Sequence, residues 1–382
     1  MKMPRLSPRF GLASIEFLET DVQTILNNYI EKYNSLTGRS LAVADPVYLL
    51  LESIAAEESK LRADFNNAAK ENLLSYATGD YLDAMGYYVN TPRLQSSGST
   101  TTIRFTLNTT VSDSVYQIPK GTLITDGSIN FATDELAFIA IGSTYVDVKA
   151  TAVDAGSFSN GIAIGAINQL VEPLPNMDSV SNITVTSGGA DLEDDDAYAD
   201  RIRLAPSSFS VAGPQGAYQY HTYSYSSSII DVSIYGLEEH PGNVYVHPLL
   251  TNGTLPEQSF LNGLKTHLSD ETIRPLTDNV LVSAPKAVDY TIELTWYLSS
   301  KDTDKINQIT EDVTKAVESY RQWQQAKINR DITPDELTKL VMQAGAKRLE
   351  ITSPVFTAVD KNEVAQCDIS NVVIHFGGTE EA

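Results

Sequence analysis

The densest chemistry in the chain is the run Asp191-Leu192-Glu193-Asp194-Asp195-Asp196. Clustered carboxylates of this kind could hold a hard cation such as calcium. The run lacks the glycine of a calcium loop, however, and a helix-forming stretch follows it. Carboxylates at a helix start meet free backbone N–H groups and the positive end of the helix dipole. Arg201 and Arg203 then fall at the far end, where cations are favoured. A helix start therefore outweighs a metal site. The second cluster is Tyr218, Tyr220, Tyr223 and Tyr225, with Gln219 and His221 among them. Such a stripe could bind sugar, but tyrosine is also enriched at contact surfaces, and core or contact is the stronger reading. The third, Glu238-Glu239-His240-Pro241-Gly242, could carry an acid–base pair; it reads better as a solvated connection between two strands.

Other chemistry is hard to find. The histidines are His221, His240, His247, His267 and His375, and no pair has the spacing of a zinc motif. Gly121 follows Lys120, the reverse of a phosphate loop, and no nucleophile elbow occurs. Cys367 is the one cysteine, so the chain cannot form an internal disulfide. Its neighbours supply no basic group to activate a thiolate. The expectation is a protein with no catalytic, cofactor-binding or metal-ligating residues, hence not an enzyme.

The elements that would position these residues change character along the chain. Residues 1–90 read as a helical region. Ser14 to Tyr33 carries Ile15, Leu18, Val22, Ile25, Leu26 and Tyr29 at near-helical spacing. Asp45-Pro46 is a cap and first-turn proline for a helix running to about Ala77, where Gly79 can end it. Leu82 to Tyr88 is a further helical piece. Residues 91–187 form a β-rich domain, with strands at 102–107, 115–118, 122–125, 137–140, 145–152 and 183–186, and a small antiparallel sandwich or barrel as the expected form. Residues 188–285 read as an α+β module: helices at 193–205, 214–226 and 256–268, strands at 229–235, 243–250 and 280–283. Residues 286–382 are a C-terminal α+β module: a strand from Val288 to Leu298, an amphipathic helix from Asp302 to Trp323, a helix from Thr333-Pro334 to Gly345, and strands at 348–352 and 369–375. The fold class expected is therefore α+β and multidomain: an N-terminal helical region, a central β-rich domain and two C-terminal α+β modules.

Bulk properties narrow the function classes. At 382 residues the chain exceeds what one core usually supports. Its 42% apolar and 20% charged residues suit a folded chain rather than a disordered one. A formal net charge of −22 disfavours nucleic acid and anionic membranes as partners. No run of about 18 apolar residues is present for a spanning helix. Lys2, Arg5 and Arg9 precede Phe10 to Leu18, but Glu16 interrupts that run and no small-residue cleavage site follows, so a secretory signal is not expected.

Four stretches, in order, resemble the baseplate J-like family of contractile tails. They are Leu74 through Gly86 with Arg93 after it; Ile118-Pro119-Lys120-Gly121-Thr122 with Phe131-Ala132-Thr133; Gly188-Gly189-Ala190-Asp191 through Asp195-Asp196-Ala197-Tyr198-Ala199-Asp200-Arg201-Ile202; and Asp231-Val232 with Pro241-Gly242-Asn243-Val244-Tyr245-Val246. The resemblance implies a baseplate wedge subunit. Such a subunit would form the ring around the central spike and pass on the rearrangement that triggers sheath contraction. It would contact copies of itself in a dimer or ring, other wedge proteins, the hub and spike, the sheath initiator and fibre-attachment proteins. It would reside in the virion tail baseplate and be assembled in the bacterial host cytoplasm. The same role in a capsid-less injection particle is an alternative. A tail-associated glycan-degrading enzyme is a further one, which would need paired carboxylates in a cleft.

Overall fold

The computed structural model describes residues 5, 7–112, 114–210 and 213–381; Lys2 lies outside them. The chain divides into two compact units, residues 1–93 with 194–205, and residues 94–193 with 206–382. The architecture is α+β and multidomain, as expected, with helices first and a barrel-like sheet after them.

In the first unit, α1 (Val22–Thr37) and α2 (Pro46–Lys70) pack as a hairpin through Ile25, Leu26 and Ala55. Asp21 caps α1 by accepting the Thr24 N–H at 2.7 Å, and Gly38 closes it at φ 66°. The expected helix at 14–21 is absent. There the side chain of Asn66 takes the part of a helical partner: its oxygen accepts the N–H groups of Phe17 and Leu18, and its amide donates to the Leu18 carbonyl at 2.8 Å. α2 also stops earlier than expected. Glu71, 3% exposed, turns its carboxylate to the Thr78 N–H at 2.8 Å and hydroxyl at 3.0 Å, so the backbone leaves the helix. Gly79 does not end α2. It opens α3 (Gly79–Tyr88) at φ 50°, a conformation that costs glycine little.

The second unit begins with eight strands: β1 (Thr100–Leu107), β2 (Tyr116–Ile118), β3 (Leu123–Thr125), β4 (Asn130–Thr133), β5 (Ala137–Ile139), β6 (Tyr145–Ala152), β7 (Gln169–Leu170) and β8 (Met177–Asn182). Six form an antiparallel sheet in the order β7-β3-β4-β6-β1-β8, and β2 pairs with β5. β1 alternates as a half-buried strand should, with Thr101, Ile103, Phe105 and Leu107 inward. The strand expected at 183–186 lies instead at 177–182. Past Asn182 the Thr184 hydroxyl accepts the Thr102 N–H at 2.9 Å, replacing a ladder bond.

After α4 (Asp195–Leu204), which belongs to the first unit, come α5 (Gln215–Tyr223), β9 (Ile229–Tyr235), β10 (Asn243–Leu250), α6 (Gln258–Leu268) and β11 (Asn279–Val282). The sheet order is β11-β10-β9, with β11 parallel to β10. The C-terminal module holds β12 (Lys286–Asp289), β13 (Ile292–Ser299), α7 (Ile306–Gln325), α8 (Pro334–Gln343), β14 (Arg348–Ser353), β15 (Glu363–Gln366) and β16 (Val372–Glu380). The single strand expected from Val288 to Leu298 is two. The chain changes partner at Tyr290: β12 runs beside β15, whereas β13 lies between β14 and β16. Ile292, Leu294, Trp296 and Leu298 then face α7 and α8 and form the largest core.

Leu294 is fully buried in that core and Leu276 is 93% exposed. Leu294→Ala should cost about 3 kcal/mol in denaturant unfolding, and Leu276→Ala less than about 0.5 kcal/mol.

Candidate functional site

The acidic run is built into the fold one carboxylate at a time. Asp194 caps α4, accepting the N–H groups of Asp196 and Ala197 at 2.8 and 3.0 Å. Asp195 accepts the Gly79 N–H at 3.2 Å and lies 2.8 Å from a guanidinium nitrogen of Arg93. Asp196 pairs with Arg5 and, at 2.7 Å, with Arg9. In the second unit, Asp191 accepts the Ser157 N–H at 2.9 Å and hydroxyl at 2.6 Å, which holds its pKa below the usual aspartate value. Glu193 accepts the Leu94 N–H at 2.9 Å while its own N–H donates to the Leu94 carbonyl. The helix start is thus observed. No group of three or more metal-ligating side chains occurs among the described residues.

Arg93 is the centre of this arrangement. Its guanidinium binds Asp83 at 2.8 Å as well as Asp195, and lies 4.5 Å from the centre of the Tyr198 ring. Burial alone would lower the Arg93 pKa; the bonds to Asp83 and Asp195 outweigh it and raise the pKa. Tyr198 is fully buried and donates to the Thr91 carbonyl at 2.7 Å. Arg201, also buried, donates to the Pro92 carbonyl at 2.6 Å and lies 5.4 Å from the same ring. Gly86 leaves the space that the Tyr198 hydroxyl fills; a Cβ there would overlap that hydroxyl and the Thr91 carbonyl. Ala77, Leu82, Ala199 and Ile202 close the cluster with apolar contacts. The motif residues Gly79, Gly86, Arg93, Asp195 and Tyr198, far apart in sequence, form one interlock. Its chemistry is that of fastening.

A strap of N-terminal chain is tied to the same unit. Arg9, 7% exposed, donates to the carbonyls of Leu74 and Ala77 at 3.1 and 2.8 Å besides its bond to Asp196. Sequence reading treats Arg5 and Arg9 only as a basic leader, because nothing local links them to Asp196.

The tyrosines divide. Tyr218 is buried and donates to Asp278 at 2.7 Å; burial and then that carboxylate push its pKa up. Tyr223 and Tyr225 pack against the core between α5, α6 and the sheet, with the Tyr225 ring 5.3 Å from Phe260. Glu238 to Gly242 form an exposed turn between β9 and β10. His221 and His267 lie with ring centres 6.5 Å apart on α5 and α6. His247 is buried between Tyr235 and Ser283, and burial lowers its pKa. Cys367 is buried, and burial raises its thiol pKa. A cleft of about 360 Å³ in the second unit, walled by Ser157, Thr186, Ser228, Thr251, Glu257 and Phe260, gathers hydroxyls but one carboxylate, Glu257. No helix among the described residues is long and apolar enough to cross a membrane.

Three models of one protein family match in chain order. The baseplate J-like N-terminal domain matches residues 44–98, the baseplate J-like barrel domain residues 102–189, and the baseplate J-like central domain residues 210–284. Together they span more than half of the sequence. The chain belongs to the baseplate J-like family. Baseplate protein J of Escherichia phage P2 is 29% identical over 200 residues, covering 52% of this chain and 64% of that protein, so the match reaches less than two thirds of the relative. A chain in the cryo-EM structure of the anti-feeding prophage baseplate, six-fold symmetrised, covers 90% of both chains at 14% identity and a TM-score of 0.41, a likeness that supports no conclusion.

Two outcomes test the interlock. Gly86→Ala must displace the Tyr198 hydroxyl or the Thr91 carbonyl and should cost about 2–3 kcal/mol, whereas Gly127→Ala, in an open turn at φ 100° with nothing within 4 Å, should cost only its backbone strain of about 1 kcal/mol. The second is pH dependence. Burial raises the Asp196 pKa, but Arg5 and Arg9 overturn this and leave it below the ordinary value. The contribution is therefore fully present above about pH 4, the unfolded aspartate value, and is lost as pH falls through the lower folded pKa. Protection factors of residues 7–18 should fall on acidification below about pH 4, and Asp196→Asn should reduce that dependence to what the Glu16–Lys70 pair leaves.

Proposed function

We propose that this chain is a non-enzymatic wedge subunit of the baseplate of a contractile injection machine, needing no cofactor or metal. It would sit in the ring around the central spike, bind copies of itself and other wedge, hub, sheath-initiator and fibre-attachment proteins, and pass on the rearrangement that triggers sheath contraction. Its place would be the tail baseplate of a virion, assembled in the bacterial host cytoplasm; a capsid-less particle would use the same part in the same way. Within it, residues 1–90 would be the helical bundle region, 91–187 the β-rich domain, and 188–285 and 286–382 the two α+β modules.

The observation that carries the reading is the match of three baseplate J-like domains in order, joined to an interlock whose motif residues fasten α4 to α3 within the first unit. A second feature supports it. Leu50, Ile54, Leu61 and Phe65 fall on one stripe of α2 and are 57%, 42%, 69% and 53% exposed. This stripe lies beside, not on, the face that packs on α1, and exposed apolar stripes of this kind mark contact surfaces. A helix of a partner wedge protein would cover it.

The test is capture of the products of neighbouring reading frames in co-expression. Leu50→Glu with Leu61→Glu should leave the melting temperature unchanged and abolish capture. Undiminished capture by the variant would overturn the bundle assignment, and hydrolysis of a surface polysaccharide by the wild-type chain would overturn the non-enzymatic one.

A further inference from the structure

The three-stranded sheet of the C-terminal module has two edges, and they differ. On one, β14 carries Arg348 and Glu350 and is followed at once by Pro354, which has no N–H. Arg348 pairs with Glu350 and, at 2.6 Å, with Glu380, and it lies 3.7 Å from the Tyr297 ring centre. Charge and proline are the usual means of blunting a sheet edge. On the other edge, β16 runs for nine residues and, among the described residues, pairs with β13 alone. From Val372 to Thr379 it has no lysine, arginine, acid or proline.

Apolar side chains are exposed along β16, beside His375. Val373 is 42% and Phe376 44% exposed, and the Phe376 ring lies 4.8 Å from that of the buried Trp296. The register shift against β13 comes only beyond Phe376, where Gly377 makes room for the Tyr297 ring. The five residues Val372 to Phe376 thus present a regular row of N–H and C=O groups at strand spacing. Acids flank β16: Asp368 stands before it and Glu381 after it, while Glu380, its last residue, is held by Arg348. An added strand would meet a centre without lysine, arginine or acid, and negative ends.

We propose that the free edge of β16 is a strand-addition site for an extended segment of a partner protein. That segment has β-branched residues at alternate positions and lysine or arginine at its ends. Main-chain bonds to Val372–Phe376 supply the pairing, and the flanking acids choose the basic ends. This inference stands apart from the wedge assignment, since the edge and its charges are properties of the module alone.

The experiment uses the full chain and a fluorescent peptide, acetyl-Lys-Val-Thr-Val-Thr-Val-Lys-amide, with a glutamate-flanked peptide as comparison. Expected are saturable binding at low salt, slower amide exchange confined to residues 372–376, and binding about tenfold weaker for the glutamate peptide. Val373→Lys with His375→Lys, both at exposed positions, should weaken the lysine peptide by about tenfold with the melting temperature unchanged. Exchange on the wild-type chain reads the site without any variant. No saturable binding up to millimolar peptide, equal binding of both peptides, or protection elsewhere would each overturn the proposal. Protection of residues 372–376 in the peptide-free chain, lost on dilution with a fall from dimer to monomer mass, would give the edge to a second copy and overturn it too.

Discussion

Arg93 binds a carboxylate on α3, a carboxylate at the head of α4 and the face of a buried tyrosine. Between the two helices the chain traverses the whole β-rich segment and returns. The return is fixed by chemistry that tolerates little substitution. A guanidinium offers planar, forked donors that can serve two carboxylates and stack on a ring at once, which an ammonium does not. Gly86 and Tyr198 fit as hole and peg, with the tyrosine hydroxyl satisfied by the Thr91 carbonyl. Without this tie, nothing in local propensity would hold a ten-residue helix, α4, against α3.

Five other buried charged and polar side chains follow the same logic. Arg9, Asn66, Lys70, Glu71 and Asn182 are buried, and each is hydrogen-bonded to backbone or to an opposite charge. Their work is to pin non-helical, non-strand segments whose backbone groups would otherwise lack partners. The polar interior is thereby spent on shape. Under the proposals above, binding would fall to surfaces: the exposed apolar stripe of α2 and the free edge of β16.

Much of this could be read from the sequence where a periodic pattern met a local signal. β9 and β10 fall at the expected residues, 229–235 and 243–250, because alternation is bounded by the Pro241-Gly242 turn. The acidic run is a helix start because Asp194 caps α4. The misses have one cause. Residues 14–21, the end of α2 at Lys70, and the strand expected at 183–186 all turn on side chains that bond backbone groups in place of a regular partner: Asn66, Glu71 and Thr184. The break at Tyr290 likewise reflects a change of neighbouring strand, invisible to alternation. For the interlock, its members were visible as a resemblance to a family, but their meeting was not. No period or spacing connects Arg93 to Asp195 or Arg9 to Asp196.

The central claim is that the chain acts by assembly rather than by bond chemistry. Mass by light scattering tests it most directly, on the intact chain alone and co-expressed with the products of neighbouring reading frames. A stable heteromer of fixed stoichiometry, formed only with those products and carrying no new enzymatic activity, is the result the account predicts. A chain that stays monomeric beside every one of them would contradict it.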